Sequence, residues 1–287
     1  MNIFITGLNG FIATHLASFL SERGNVICGS TSRPNTQISN NRARHIYSLK
    51  LGNSVDRSIF QDVDAVIHCA YDFKPGALKR NIQGTIAIAE AARSQGIQKQ
   101  VFISSLSARP DAVTEYGKAK YETERYFLQN GGVVIRPGTV IGNGGVFGRI
   151  VKLMKKCPVL PLPNGGKSQM YLIGIVDLCI SIAEILNRKG PSEFNLYYHE
   201  KPALRTILTQ MKFILQCNVL LIPLPAIFLL FPLEFLKWLG IRTPIDVDNL
   251  KGFIKSQDMA HRSNLEIVMS KIPSLETSLR ENFESHN

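Results

Sequence analysis

The chain of 287 residues has little that would tie it to a membrane, a metal ion or a nucleic acid. Its apolar run Val219–Leu233 spans only 15 residues and is broken by Pro223, Pro225 and Pro232. A bilayer crossing takes about 20 mostly apolar residues, so no membrane span is expected. The run reads as buried in a C-terminal lobe, with peripheral contact at a lipid surface as the other use, since Lys237 and Trp238 follow it. Cysteines are few, odd in number and scattered: Cys28, Cys69, Cys157, Cys179 and Cys217 form no Cys-x-x-Cys pair, and the histidines show no ligand spacing. Reduced thiols and no metal site are the expectation. Acids are also scarce, 22 against 33 Lys and Arg, for a formal net charge of +11. That excess suits anionic small-molecule partners, beside an ordinary basic solvated surface. No basic run is interleaved with aromatics, so nucleic acid is not expected as a partner. The first apolar segment is a strand that runs straight into a glycine turn, so no leader is expected and the compartment reads as cytoplasmic.

What is present begins at residue 1. Met1–Thr6 is a short apolar strand, and Gly7-Leu8-Asn9-Gly10-Phe11-Ile12-Ala13 then leads into a helical pattern of Leu16, Phe19 and Leu20. Gly7 permits a tight turn, Gly10 lets backbone amides approach a pyrophosphate, and Ala13 keeps the helix close to the sheet. The helix amino terminus then faces the phosphates, which makes Gly7, Asn9, Gly10, Phe11 and Ile12 candidate cofactor-binding residues. A second strand, Asn25–Gly29, ends in Ser30-Thr31-Ser32-Arg33 with no acid to meet an adenosine ribose. A cationic, donor-rich end suits the 2′-phosphate of NADP, with NAD the other possibility and Arg42 or Arg44 as alternatives to Arg33.

Tyr116-Gly117-Lys118-Ala119-Lys120 places a phenol and an ammonium four residues apart. On a helix they share one face. A phenol ionises near a pKa of about 10, and the Lys120 charge is expected to favour the ionised form, so that Tyr116 exchanges a proton with a substrate oxygen near neutral pH. Upstream, Val101–Ser107 is an apolar strand ending in hydroxyls, and Ser105 at its carboxyl end is placed to bind that same oxygen, with Ser104 and Ser107 as alternatives.

Together these stretches resemble the short-chain dehydrogenase/reductase superfamily, in its extended branch of NAD(P)-dependent epimerases, dehydratases and reductases acting on nucleotide sugars. Thr6-Gly7-x-x-Gly10-Phe11-Ile12 resembles the opening motif of that branch, and Asp64–Ala70 its fourth strand and following turn. Asn81-Ile82-Gln83-Gly84-Thr85 is similar to the helix that carries a structural and proton-relay asparagine, and Val134–Gly142 to the strand and turn that close around nicotinamide. The resemblance implies a catalytic set of Ser105, Tyr116, Lys120 and Asn81, and cofactor contacts that extend to Cys69, Ala70, Pro137, Tyr116 and Lys120. It also implies a homodimer and a small-molecule substrate, most simply a nucleotide sugar. Departures are visible too. Ala13 stands where many members have glycine, no aspartate is evident around Leu49–Gly52, and Asp177 is a single acid where the branch has a pair. No acid pair adjoins Ser105, which argues against 4,6-dehydration and leaves carbonyl reduction, alcohol oxidation or epimerisation.

Strand and helix patterns alternate as in a Rossmann-type α/β fold with a doubly wound parallel sheet and a smaller C-terminal substrate lobe. The expected division is a dinucleotide-binding domain over 1–145, joined by about 168–199, and a substrate lobe formed mainly by 146–287. Two other functions keep the same residues: oxidoreduction of a steroid-like or other apolar alcohol, and a non-catalytic nucleotide-bound structural or regulatory subunit.

Overall fold

Short apolar runs separated by polar turns become the strands of one parallel sheet. The computed structural model describes residues 1–33, 43–188, 192–225, 227–228 and 262–283. Its first unit is Met1–Pro137 with Val176–Leu196. The strands there are β1 (Asn2–Thr6), β2 (Val26–Thr31), β3 (His45–Ser48), β4 (Ala65–His68), β5 (Lys99–Ile103) and β6 (Val133–Pro137). After the second unit's β7 (Thr139–Ile141), β8 (Val159–Pro163) and β9 (Leu172–Gly174), the chain adds β10 (Glu193–Leu196) to the same sheet. The order is β10-β6-β5-β4-β1-β2-β3, and every pairing is parallel. The chain steps outward from β1 to β3 and then returns to lay β4 on the other side of β1. That reversal opens a crevice at the carboxyl ends of β1 and β4, where open α/β sheets bind their ligands.

Helices α1 (Phe11–Glu22), α2 (Leu78–Ser94), α3 (Glu115–Gln129) and α5 (Ile175–Asn187) supply the crossovers, with α4 (Gly145–Lys156) in the second unit. Phe4, Phe60, Val66 and Ile88 form one core cluster, and Ala89, Phe102, Phe127 and Val134 another. His68 is sealed beside the second cluster, its ring 4.8 Å from that of Phe127 and its Nε2 3.0 Å from Gln100 Oε1. Burial pulls its pKa down to about 4, with Gln100 opposing the shift and the Lys120 charge adding to it. Arg136 crosses from β6 to hold Glu124 of α3 by two hydrogen bonds, 2.9 and 2.6 Å, and Glu193 by a third of 2.8 Å. Removing one partner of such a buried pair costs more than the pair itself contributes, since it strands a charge.

The second unit is Gly138–Ile175 with Tyr197–Asn287. Within it β7 pairs with β9 and β8 with β11 (Leu220–Leu224), each as a separate two-stranded sheet. It also holds α6 (Leu204–Ile214), α7 (Leu265–Val268) and α8 (Leu275–Phe283). The Tyr198 hydroxyl accepts from Gly174 N–H at 2.7 Å and meets Ser278 Oγ at 2.8 Å, fastening β9 to α8. The sequence pattern assigned residues 138–145 and 168–175 to the dinucleotide domain. The structure groups them with the second unit, because β9 finds its partner in β7 and not in the main sheet.

The apolar run after Val219 also differs from expectation. Val219 is buried, but Leu220, Ile222, Ile227 and Phe228 are exposed. Among the described residues β11 has β8 as its one neighbouring strand. Residue 226, residues 229–233, Lys237 and Trp238 lie outside the described residues. Among the described residues no helix is long and apolar enough to cross a membrane.

Candidate active site

The glycine loop sits at the crevice. Gly7 has φ +73°, and a Cβ there would lie 2.8 Å from Ala70 Cα, so the loop tolerates no side chain at that point. Gly10 N–H donates to Gly7 O at 2.7 Å, while Thr14 Oγ1 donates to Leu8 O at 2.7 Å and Gly10 O at 2.9 Å. Gly10 is the N-cap of α1, which has no side-chain cap and no acid in its first turn. The positive end of the helix dipole, carried by amides at Phe11, Ile12 and Ala13, is left for an anion. Thr6 Oγ1, at the end of β1, accepts from both Cys69 N–H and Ala70 N–H at 3.0 Å, which draws the turn after β4 against the loop. These features fit the pyrophosphate of a dinucleotide.

At the neighbouring edge Asn9 Nδ2 reaches Arg33 O at 3.4 Å, so the glycine loop and the end of β2 are tied together. Arg33 and Ser32 are exposed there, whereas Ser30 and Thr31 are buried. β2 runs two residues beyond the expected Gly29, which takes those two hydroxyls into the sheet. Thr31 Oγ1 accepts from Arg33 N–H at 3.1 Å. The donor-rich end is thus reduced to Ser32 and Arg33. Arg44 is exposed, and Arg42 lies outside the described residues.

The second half of the site lies along β5 and α3. Thr114 caps α3 by accepting from Gly117 N–H at 3.1 Å, which puts Tyr116 in the first turn. Gly117 has no room for a Cβ, which would approach Ser107 O to 2.5 Å. That close approach is what brings the helix start to the Ser105 loop, where the Ser105 hydroxyl lies near enough to Tyr116 to oppose the rise in its pKa. Lys120, one turn on, is buried and donates from Nζ to Ile103 O at 2.6 Å. Its ammonium also lies 4.6 Å from the Phe102 ring centre, 5.4 Å from that of Tyr71 and 5.8 Å from that of Tyr116.

The electrostatics reverse one expectation. Tyr116 is held above the usual phenol range, because burial of its hydroxyl outweighs the opposing hydrogen bond from Ser105. The Lys120 ammonium was expected to pull it down, but it is engaged with the Ile103 carbonyl and is itself pushed by burial to about 8, with Cys69 and Glu124 opposing. Cys69, beside it, is raised by burial to about 12. Tyr116 is therefore held in its protonated form.

Asn81 is buried on α2, and its amide closes on one backbone unit: Asp72 N–H donates to Oδ1 at 2.8 Å and Nδ2 donates to Asp72 O at 2.9 Å. It lines a small gap with Thr85, Thr123 and Lys120, but the work its contacts show is to fix the 71–77 loop. That loop brings in residues with no sequence signal. Tyr71 meets Tyr116 edge-on with ring centres 4.9 Å apart, and Phe73 stacks on Tyr116 at 6.1 Å and 14°. Thr114, directly before α3, is a cap signal readable in the sequence. Pro137 ends β6, buried beside Leu196 of β10. Ser104 is buried in the strand end, and Ser107 donates its N–H to Ser105 Oγ at 3.1 Å.

Known proteins resemble this chain in sequence and in fold. A curated relative, UDP-glucose 4-epimerase of Vibrio cholerae, is 23% identical over 218 residues, 63% of this chain and 66% of its own length. The match thus spans slightly under two thirds of that protein. Among solved structures, UDP-glucose 4-epimerase of Thermotoga maritima with UDP-glucose superposes with a TM-score of 0.69 at 21% identity, covering 78% of this chain and 86% of the other. A variant of UDP-glucuronic acid 4-epimerase from Bacillus cereus, in complex with NAD and a fluorinated UDP-glucuronic acid, gives 0.73 at 19% identity and covers 99% and 98%. Residues 3–196 match the NAD dependent epimerase/dehydratase family, and the chain belongs to that family.

Proposed function

We propose that the protein is a nicotinamide-dependent oxidoreductase or epimerase of a nucleotide sugar. The observation that carries this reading is the convergence of Ser105, Tyr116 and Lys120 at the end of β5, in the same unit as an uncapped helix terminus behind a glycine loop. Family membership and the sugar nucleotides held by structural neighbours support the substrate class. Gly7, Asn9, Gly10, Phe11 and Ile12 would hold the dinucleotide phosphates, and Cys69, Ala70 and Pro137 would flank it. A bound nicotinamide supplies hydride transfer to or from a sugar carbon.

This chain's own residues then manage the oxygen on that carbon. Tyr116, held protonated by its surroundings, donates its proton as negative charge grows on the oxygen, and Ser105 hydrogen-bonds the same atom. In the opposite direction Tyr116 must accept a proton, and the Lys120 ammonium stabilises the phenolate once Lys120 turns from Ile103 O toward it. Asn81 acts as a positioning residue through the Asp72 backbone.

Two measurements test this reading. The full chain with NAD or NADP should interconvert or oxidise at least one UDP-hexose, read by product NMR and by reduced-nicotinamide absorbance. Inertness toward every common UDP- and dTDP-hexose with either cofactor would sink it. The absence of an acid after β2 and the exposed Arg33 support NADP over NAD. Arg33→Ala should weaken NADPH more than NADH, whereas equal losses would remove the 2′-phosphate role.

A further inference from the structure

Phe73 is a large apolar side chain with 71% of its surface exposed, and it stands against Tyr116. Scattered exposed hydrophobics are ordinary, so exposure alone says nothing. What distinguishes Phe73 is how firmly its loop is held. Both polar groups of the Asp72 peptide backbone are taken by the Asn81 amide, and the Asp72 carboxylate pairs with Arg80 Nε at 3.1 Å and accepts Lys74 N–H at 3.0 Å. Further along, Gly76 N–H donates to Glu115 Oε2 at 3.3 Å and Ala77 N–H to Lys74 O at 3.2 Å. Tyr71 backs the Phe73 ring at 4.7 Å. An aromatic fixed this way loses little freedom when something packs on it, which is the condition for a strong contact.

We propose that Phe73, braced by Tyr71, is a specificity-determining residue: it is the shelf on which the C–H face of the substrate's sugar ring rests while the reacting hydroxyl meets Tyr116. This rests on the nucleotide-sugar reading given above. A pyranose has one face lined by C–H bonds and a rim of hydroxyls. Covering the Phe73 ring with the C–H face removes apolar surface from water on both partners and leaves the rim free to reach Tyr116 and Ser105. The ring planes of Phe73 and Tyr116 differ by only 14°, so the shelf and the proton donor present parallel faces. The shelf discriminates by shape. A sugar whose axial substituent interrupts the C–H face sits less well, so Phe73 contributes to choosing the sugar and not the nucleotide.

The nucleotide alone provides the control. The full chain loaded with NADP is titrated calorimetrically with UDP, UDP-glucose, UDP-galactose, UDP-glucuronic acid, dTDP and dTDP-glucose, for the wild type, Phe73→Ala and Phe73→Trp. Phe73→Ala is expected to weaken the best-bound UDP-sugar by about tenfold and to leave UDP within about twofold, while Phe73→Trp retains sugar affinity. Unchanged sugar affinity in Phe73→Ala, or equal weakening of UDP and UDP-sugar, overturns the shelf and leaves the nucleotide-sugar reading standing. If the wild type binds neither a UDP-sugar nor dTDP-glucose better than the bare nucleotide, the shelf and the substrate class fall together.

Discussion

The two ends of the site are built by different means. Around Gly7 the chain presents its backbone: an uncapped helix terminus, a turn with no side chain, and one threonine hydroxyl holding two amides. Around Tyr116 it works with side chains, brought from three separate stretches, 71–77, 103–107 and 114–120. The backbone end depends on conformation that glycine alone adopts without strain, so it fails when a side chain is added. The side-chain end depends on burial, so it fails when a proton or a neighbour changes. Dinucleotide affinity and turnover should therefore separate under mutation.

The sharpest separation is at Tyr116. Tyr116→Phe keeps the ring contacts with Tyr71 and Phe73 but removes the transferable proton; turnover should fall by about 10²–10⁴-fold with dinucleotide affinity unchanged. Loss of both in a folded protein would break the division. Gly7→Ala is its mirror image. The new methyl would meet the Ala70 backbone in a left-handed conformation, and dinucleotide affinity should drop by at least about tenfold, with a stability loss of about 1–3 kcal/mol seen in thermal melting.

The Lys120 ammonium, held down to about 8 by burial, is lost as pH rises through that value. If turnover needs it, kcat/KM should decline on the alkaline side near pH 8, and Lys120→Arg, whose charge persists, should move that limb upward. An unmoved limb would assign it elsewhere. The last effect concerns stability. His68 is folded in its neutral form with a pKa near 4, so the unfolded chain takes up a proton below its ordinary value of 6.5 and stability falls as pH drops through that window. The slope from this residue is at most about 1.4 kcal/mol per pH unit. His68→Gln should flatten the fall of melting temperature between pH 7 and pH 4.5 relative to the wild type, where carboxylates common to both proteins cancel in the difference.

Much of the backbone end was legible in the sequence, because strand, glycine turn and helix follow each other within residues 2–22 and each leaves a local pattern. Tyr116 and Lys120 were legible for the same reason, since helical spacing is local. The direction of the Tyr116 shift was not. It depends on how much water packing removes and on Lys120 preferring the Ile103 carbonyl, both set by residues distant in sequence. Phe73 left no trace either, because its role comes from a loop whose conformation is dictated by Asn81 and Glu115. In the second unit, β9 was readable as a strand but its partner was not, as periodicity reports which residues face inward and not which sheet they join.

The Thr6 hydroxyl has a consequence for how the crevice opens. Two amides, Cys69 and Ala70, share one acceptor, so a fluctuation that frees either should free both. Their hydrogen-exchange rates are expected to move together, and dinucleotide binding should slow the pair by a common factor. The strand switch point thus carries its own paired clock, readable at the level of single amides without any substrate in hand.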